Sequence, residues 1–223
     1  KEGLHFALTD KGVFLFFVGW AIIGACNYSI WGGMLLFPIY ESYGREDIFT
    51  AILRATIFAT AVISNFIWAK LSSRIAEPKR WIFICISVSN PIFFAAAAIF
   101  LYLAPPEESL VIWKFFALIA VFTLFATWEG LGFILNNRLK VDLVPDRVRN
   151  AIYSLEPTLV LILSIPFIVV GGIVIESLGM GIGALLTSIL SVIGIIILGL
   201  GLLWLPQRAE GTKHSDSSEE LLT

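Results

Sequence analysis

Charge, cysteine and histidine are all scarce in this sequence. Asp, Glu, Lys and Arg make up 14% of its 223 residues, against 58% apolar residues. A soluble domain of this length needs far more polar surface, and a mean hydropathy of +0.89 places the chain among membrane proteins. The two cysteines, Cys26 and Cys85, lie in different apolar runs at different expected depths. They form no metal-ligand spacing and argue against a disulfide. Both histidines, His5 and His214, fall outside the apolar runs, which leaves no Ser/His dyad and no HExxH zinc site within them. Asp142 and Asp146 sit in a linker with no intramembrane aspartate to pair with. An intramembrane protease is disfavoured on these grounds, and no cofactor or metal is expected. A net charge of −2 gives no reason to expect a nucleic-acid partner. The chain opens at Lys1 on a polar stretch where a leader would show a basic end and then an apolar run. The N-terminus therefore reads as a break inside a longer protein.

What the chain has in quantity is long apolar runs. Crossing about 30 Å of hydrocarbon takes about 20 helical residues, and runs of that length occur at 12–38, 48–71, 81–104, 110–136, 149–175 and 180–205. They lack the alternation of a barrel strand, so helices are expected. Breakers mark the joints at Tyr43-Gly44, Glu77-Pro78, Pro105-Pro106, Val144-Pro145 and Gly179. Short linkers make neighbouring helices antiparallel. Residues 1–11 read as the cytoplasmic end of an inter-half linker, 12–206 as a six-helix domain, and 207–223 as a disordered cytoplasmic tail.

The basic residues set an orientation. Lys1, Lys11, Lys70, Arg74, Lys79, Arg80, Arg138, Lys140, Arg147, Arg149, Arg208 and Lys213 fall on one side, against Arg45 on the other. By the positive-inside rule both ends are expected in the cytoplasm, the host bilayer being a plasma membrane.

Polar groups inside hydrocarbon are costly and point to helices that face a cavity or a partner. They concentrate in four spans: Asn27, Tyr28 and Ser29 in the first, Arg54, Thr60, Ser64 and Asn65 in the second, Thr123, Thr127, Glu129 and Asn136 in the fourth, and Tyr153, Ser154, Glu156 and Ser164 in the fifth. The third and sixth carry no charge in their interiors, so they are expected to face lipid. This uneven distribution suggests two consecutive three-helix units of the inverted-repeat kind. Glu129 and Glu156 are candidates for proton coupling or gating, because a desolvated carboxyl group holds its proton more tightly. The alternative is a static ion pair with Arg74, Arg147 or Arg149. Arg54 is a candidate for substrate contact, with snorkelling to the interface as the alternative. Lys114 reads as snorkelling. Asn27, Trp31, Asn65, Phe125, Thr127 and Trp128 are expected to line the cavity with Arg54. Pro91, Pro157 and Pro166 each remove a backbone donor from a span. Gly171, Gly172, Gly179, Gly181 and Gly183 read as sites of close helix packing.

Three stretches carry a family resemblance. Residues 69–80, AKLSSRIAEPKR, resemble a degenerate copy of the Gly-x-x-x-Asp-Arg-x-Gly-Arg-Arg loop of the major facilitator superfamily; Arg74, Lys79 and Arg80 match, while Ala69, Ser73 and Ala76 depart from it. Val144 to Ala151, with Arg147, is similar to the segment leading into that family's eleventh helix, and Ile165-Pro166 through Gly171-Gly172 resembles that helix's ending. Leu36 to Tyr40 resembles the outer end of its seventh helix. The resemblance covers nearly all of 10–206 and implies an all-α integral membrane fold: helices 7 to 12, with the first, second, fourth and fifth spans lining a central cavity. It implies the C-terminal half of a secondary transporter, whose partners are a missing N-terminal six-helix half, the lipid bilayer and a small-molecule solute. A scaffold, sensor or channel subunit is the alternative.

Overall fold

A run of apolar side chains in lipid leaves the backbone to satisfy its own polar groups, and the helix does so within a single segment. The computed structural model describes residues 8–31, 47–103 and 112–205, and it is all-helical among them. The helices are α1 (Lys11–Trp31), α2 (Asp47–Ser72), α3 (Pro78–Leu103), α4 (Ile112–Leu143), α5 (Asp146–Leu178) and α6 (Met180–Trp204). Among the described residues α1, α2, α3, α5 and α6 are long and apolar enough to cross a membrane. The chain is thus a multi-pass, all-helical membrane protein. α4 is 32 residues long and carries Glu129, Asn136, Asn137, Arg138 and Lys140 in its C-terminal half. The expected tail at 207–223, most of the linker at 1–11 and the Leu36–Tyr40 stretch lie outside the described residues, as do the side chains of Trp31, Arg54 and Lys114.

Two boundaries differ from the sequence reading. α4 continues past residue 136 to Leu143, and α5 begins at Asp146, so the expected linker shrinks to Val144-Pro145. The reason is chemical: the polar residues of 136–140 find partners while remaining helical. Pro145 supplies the stop, because its ring cannot continue the preceding helix. Pro91, Pro157 and Pro166 all lie inside continuous helices. At the other end of α5, Gly179 turns the chain with φ 90°, a left-handed conformation that favours glycine.

Packing orders the helices. α1 lies against α6 and α5, α4 lies against α3 and α2, and α3 and α6 lie against one another. The core is a single cluster in which Phe16, Phe17, Trp20 and Ile23 of α1 meet Ile82 and Ile86 of α3, Leu131 and Leu135 of α4, and Leu198 and Leu202 of α6. The α1–α6 contact is the tightest. A Cβ at Gly12 would stand 2.7 Å from the Trp204 carbonyl carbon, and one at Gly19 would stand 2.6 Å from Leu198 Cα. Gly194 and Gly201 of α6 face α1 in the same way, against Ile23 and Phe16. Two glycine pairs, each seven residues apart, bring the two backbones together, which is how membrane helices gain dispersion energy when lipid offers no hydrophobic drive.

The expectation that α3 and α6 turn to lipid describes only one face of each. Their facing sides carry small polar groups, Ser89, Asn90, Thr187, Ser188 and Ser191, all buried, with Ser188 Oγ donating to the Pro91 carbonyl at 3.0 Å. The opposite faces expose Ile92 and Ile99, and Ile189, Ile193, Ile196 and Leu203. Within this chain the outer elements are α5 and α2, of whose spans 11% and 17% are buried, against 61% for α1. Phe58, Ile63 and Phe66 on α2, and Ile162, Ile165, Val169 and Ile173 on α5, stand exposed. Such faces require cover by lipid or by further protein.

Candidate functional site

Beside the core, α1, α4 and α5 diverge around a half-open cavity of about 630 Å³. That volume is in the range of small-molecule sites. α1 contributes Trp20, Asn27 and Tyr28, α4 contributes Glu129, Phe133, Asn137 and Lys140, and α5 contributes Tyr153, Glu156 and Pro157; Ile86 of α3 completes one wall. The α4 residues stand at i, i+4, i+8 and i+11 from Glu129, so a single helical stripe runs along the cavity.

Two polar clusters occupy it. In the first, Asn27 Nδ2 donates to Glu129 Oε1, joining α1 to α4. Asn27 is 8% exposed, and its Oδ1 is buried with no hydrogen-bond partner. In the second, Lys140 and Glu156 form an ion pair between α4 and α5, with side chains 2% and 11% exposed. Lys140 Nζ also donates to Asn137 Oδ1 at 3.3 Å. Orienting the Asn136 amide by its hydrogen bonds lets its oxygen accept from Lys140 Nζ at 2.8 Å and from Trp20 Nε1 at 3.2 Å. The ammonium lies 5.7 Å from the Trp20 ring centroid, within cation–π range. Glu156, Asn137 and Asn136 thereby account for all three ammonium protons. Pro157 adds a further polar group by subtraction: it has no N–H to give the Tyr153 carbonyl.

The residues expected to line a cavity divide. Asn27, Glu129 and Glu156 come together in it. Phe125 is buried against Phe93 and Phe94 of α3, with ring centroids 5.9 and 5.6 Å away. Thr127 and Trp128 belong to the α2–α4 contact. Ser64 Oγ donates to Thr127 Oγ1 at 3.3 Å, Trp68 Nε1 donates to the Thr127 carbonyl at 2.8 Å, and the Trp68 and Trp128 rings lie tilted against one another with centroids 6.4 Å apart. Asn65, largely exposed, abuts Gly130 of α4 across the same contact. Glu156 pairs with Lys140, where the sequence suggested Arg74, Arg147 or Arg149.

The loop residues serve helix ends. Arg138 donates to the carbonyls of Ser72 and Ile75 at 2.7 and 3.2 Å, closing the C-terminus of α2. Arg149 does the same for α4 at Val141 and Val144, and Lys79 for α6 at Leu205, 3.1 Å away. A cation at a helix C-terminus satisfies orphan carbonyls and complements the helix dipole. Arg74 and Arg147 are exposed, and Arg80 pairs with Glu77 at 3.6 Å on the surface.

Lys140, Trp20 and Asn137 are functional candidates that sequence reasoning left aside. Lys140 was grouped with the loop cations; the signal that could have found it is its helical spacing from Glu129 and Asn136. Among the described residues no group of three or more His, Cys, Asp or Glu side chains could hold a metal ion. No protein-family model, no curated protein and no solved structure matches the chain.

Proposed function

We propose that this chain is the C-terminal half of a secondary active transporter of the major facilitator type, moving a small solute by alternating access. The observation that carries the reading is the cavity between α1, α4 and α5, where half-buried Glu129 of α4 holds the Asn27 amide of α1 and buried Glu156 of α5 holds the Lys140 ammonium of α4. Ionisable groups persist at such depth only where they face an interior or a partner. The packing supports the repeat reading. Exchanging α1 with α4, α2 with α5 and α3 with α6 turns the α1–α6 contact into α4–α3 and the α1–α5 contact into α4–α2, and leaves α3–α6 unchanged; the smaller α5–α6 contact alone has no α2–α3 counterpart of similar extent. An inverted pair of three-helix units has this property. In this reading both ends of the segment are cytoplasmic, an N-terminal six-helix half covers the exposed faces of α2 and α5, and Glu129 and Glu156 serve coupling or gating.

The test uses the full-length protein in proteoliposomes, with flux screened over a solute library. Glu129→Gln and Glu156→Gln are expected to lower flux of the transported solute by roughly 10- to 100-fold per molecule of folded protein, as for loss of a charged hydrogen bond; Glu129→Gln should leave insertion and yield unchanged, whereas Glu156→Gln, which strands Lys140, should also lower stability. Undiminished flux in both variants would remove these carboxylates from the mechanism. No flux of any solute would favour a scaffold or sensor.

A further inference from the structure

We propose that the cavity takes an uncharged solute that joins a flat aromatic ring to a hydrogen-bond donor, a phenol or an indole in chemical class. The proposal rests on the transporter reading for the solute's passage and on the cavity alone for its binding. Burial divides the lining into a floor and a mouth. Trp20, Asn27, Lys140 and Glu156 are buried, whereas Tyr28 of α1, Phe133 of α4 and Tyr153 of α5 stand exposed. Each of the three helices thus brings one aromatic ring to the mouth.

The floor has no charge to offer. Lys140 gives its three protons to Glu156, Asn137 and Asn136, with Trp20 over one side, and its pair with Glu156 is neutral as a unit. Glu129 accepts from Asn27 and has a further partner within the protein. A solute ion of either sign would leave water for a site whose charged groups are already engaged, and burying an unpaired ion is costly. What stands open is an acceptor. Among the described lining residues, Asn27 alone holds a buried side-chain polar atom without a partner, its Oδ1. The amide cannot turn its Nδ2 to a solute without giving up Glu129, so the group it presents is the carbonyl, which calls for an N–H or an O–H. The atom lies beneath the surface, so neighbouring side chains must give to admit a donor; the donor then removes the free-energy cost of an orphan acceptor. The rings at the mouth, with the apolar walls of Ile23, Ile86 and Val160, suit the body of the solute. Offset or edge-to-face packing holds a flat ring better than an aliphatic one of similar size.

The test measures equilibrium binding to the full-length protein in lipid nanodiscs at neutral pH, corrected with empty nanodiscs for partition into lipid. The probes are 2-naphthol, 2-methoxynaphthalene, which cannot donate, decahydro-2-naphthol, which is not aromatic, and the ions 2-naphthoate and 2-naphthylmethylammonium. 2-Naphthol is expected to bind saturably and about two- to tenfold tighter than 2-methoxynaphthalene, the worth of one hydrogen bond. It should exceed decahydro-2-naphthol by about two- to tenfold as well, the worth of an aromatic contact. Both ions should bind more weakly than 2-naphthol. Asn27→Leu should erase the first difference by weakening 2-naphthol, and Phe133→Leu should narrow the second; a merely structural role of either residue would weaken all probes alike. Equal binding of 2-naphthol and either uncharged analogue, equal or tighter binding of an ion, no saturable binding of 2-naphthol, or an unchanged donor preference in Asn27→Leu would each overturn the proposal. Should the variants fold poorly, the order of the five probes on the native protein decides alone. Saturable 2-naphthol binding without flux of any solute would sink the transporter reading and leave this proposal standing; flux of another solute without 2-naphthol binding would do the reverse.

Discussion

At the residue scale, the Lys140–Glu156 pair has the largest consequence for stability. Removing one partner of a buried ion pair strands the other charge, which typically costs about 3–5 kcal/mol, whereas replacing both with uncharged side chains is often close to neutral. Lys140→Met is therefore expected to lower the unfolding temperature sharply, and adding Glu156→Gln to recover most of the loss. The measurement has a built-in reporter. Cys26 and Cys85 are both buried thiols outside any disulfide, so the rate at which a thiol-reactive dye labels them on heating follows unfolding. Double-mutant additivity would show that the pair contributes nothing as a pair. Residues of this kind were half legible in the sequence. A carboxylate within an apolar run is conspicuous, so Glu129 and Glu156 stood out; their partners did not. Asn27 is one of many polar residues in the spans, and Lys140 sat among cations whose number already had an explanation in membrane orientation. Position along a sequence cannot tell a lysine in a loop from one a turn further along a continuing helix.

The helices themselves were legible because hydropathy and breakers act locally; which face of each helix packs was not. Glycine shows the difference. The sequence drew attention to Gly171, Gly172, Gly179, Gly181 and Gly183 near the turn between α5 and α6, and Gly183 does meet Ile175 of α5. Gly172, however, has nothing within 4 Å of where a Cβ would stand, and the four glycines that let α1 and α6 touch were indistinguishable from ordinary ones. Their seven-residue spacing acquires meaning only once the two helices are known to be neighbours. The contrast is testable. Gly19→Ala must push α1 off the α6 backbone and is expected to destabilise by about 1–3 kcal/mol, the usual cost of overpacking. Gly172→Ala fills open space and relieves the entropy cost of glycine in a helix, a gain of about 0.5–1 kcal/mol. Equal effects of the two substitutions on the same labelling assay would show that the α1–α6 approach is looser than described. Charge-based sorting described only the outward faces of α3 and α6 for a related reason: serine, threonine and asparagine bury readily when a neighbouring helix supplies acceptors, as Pro91 does for Ser188, and they leave little trace in an average of hydropathy.

On the scale of the whole molecule, order along the chain and order in space are different. α1 and α6 are neighbours although they are the first and last of the six helices, and α2 and α5 stand at the outside. That arrangement has a consequence for biosynthesis. A membrane protein emerges from the ribosome from its N-terminal side, and Gly19 and Gly194, which meet across the α1–α6 contact, are synthesised roughly 10–35 s apart at about 5–20 residues per second. For that interval α1 lies in the membrane without its principal neighbour, and until α4 follows, Asn27 lacks the carboxylate that will accept its hydrogen bond. The early helix therefore needs a temporary companion, whether lipid, insertion machinery or an earlier part of a longer chain, and delayed synthesis beyond Leu178 would prolong its exposure to degradation.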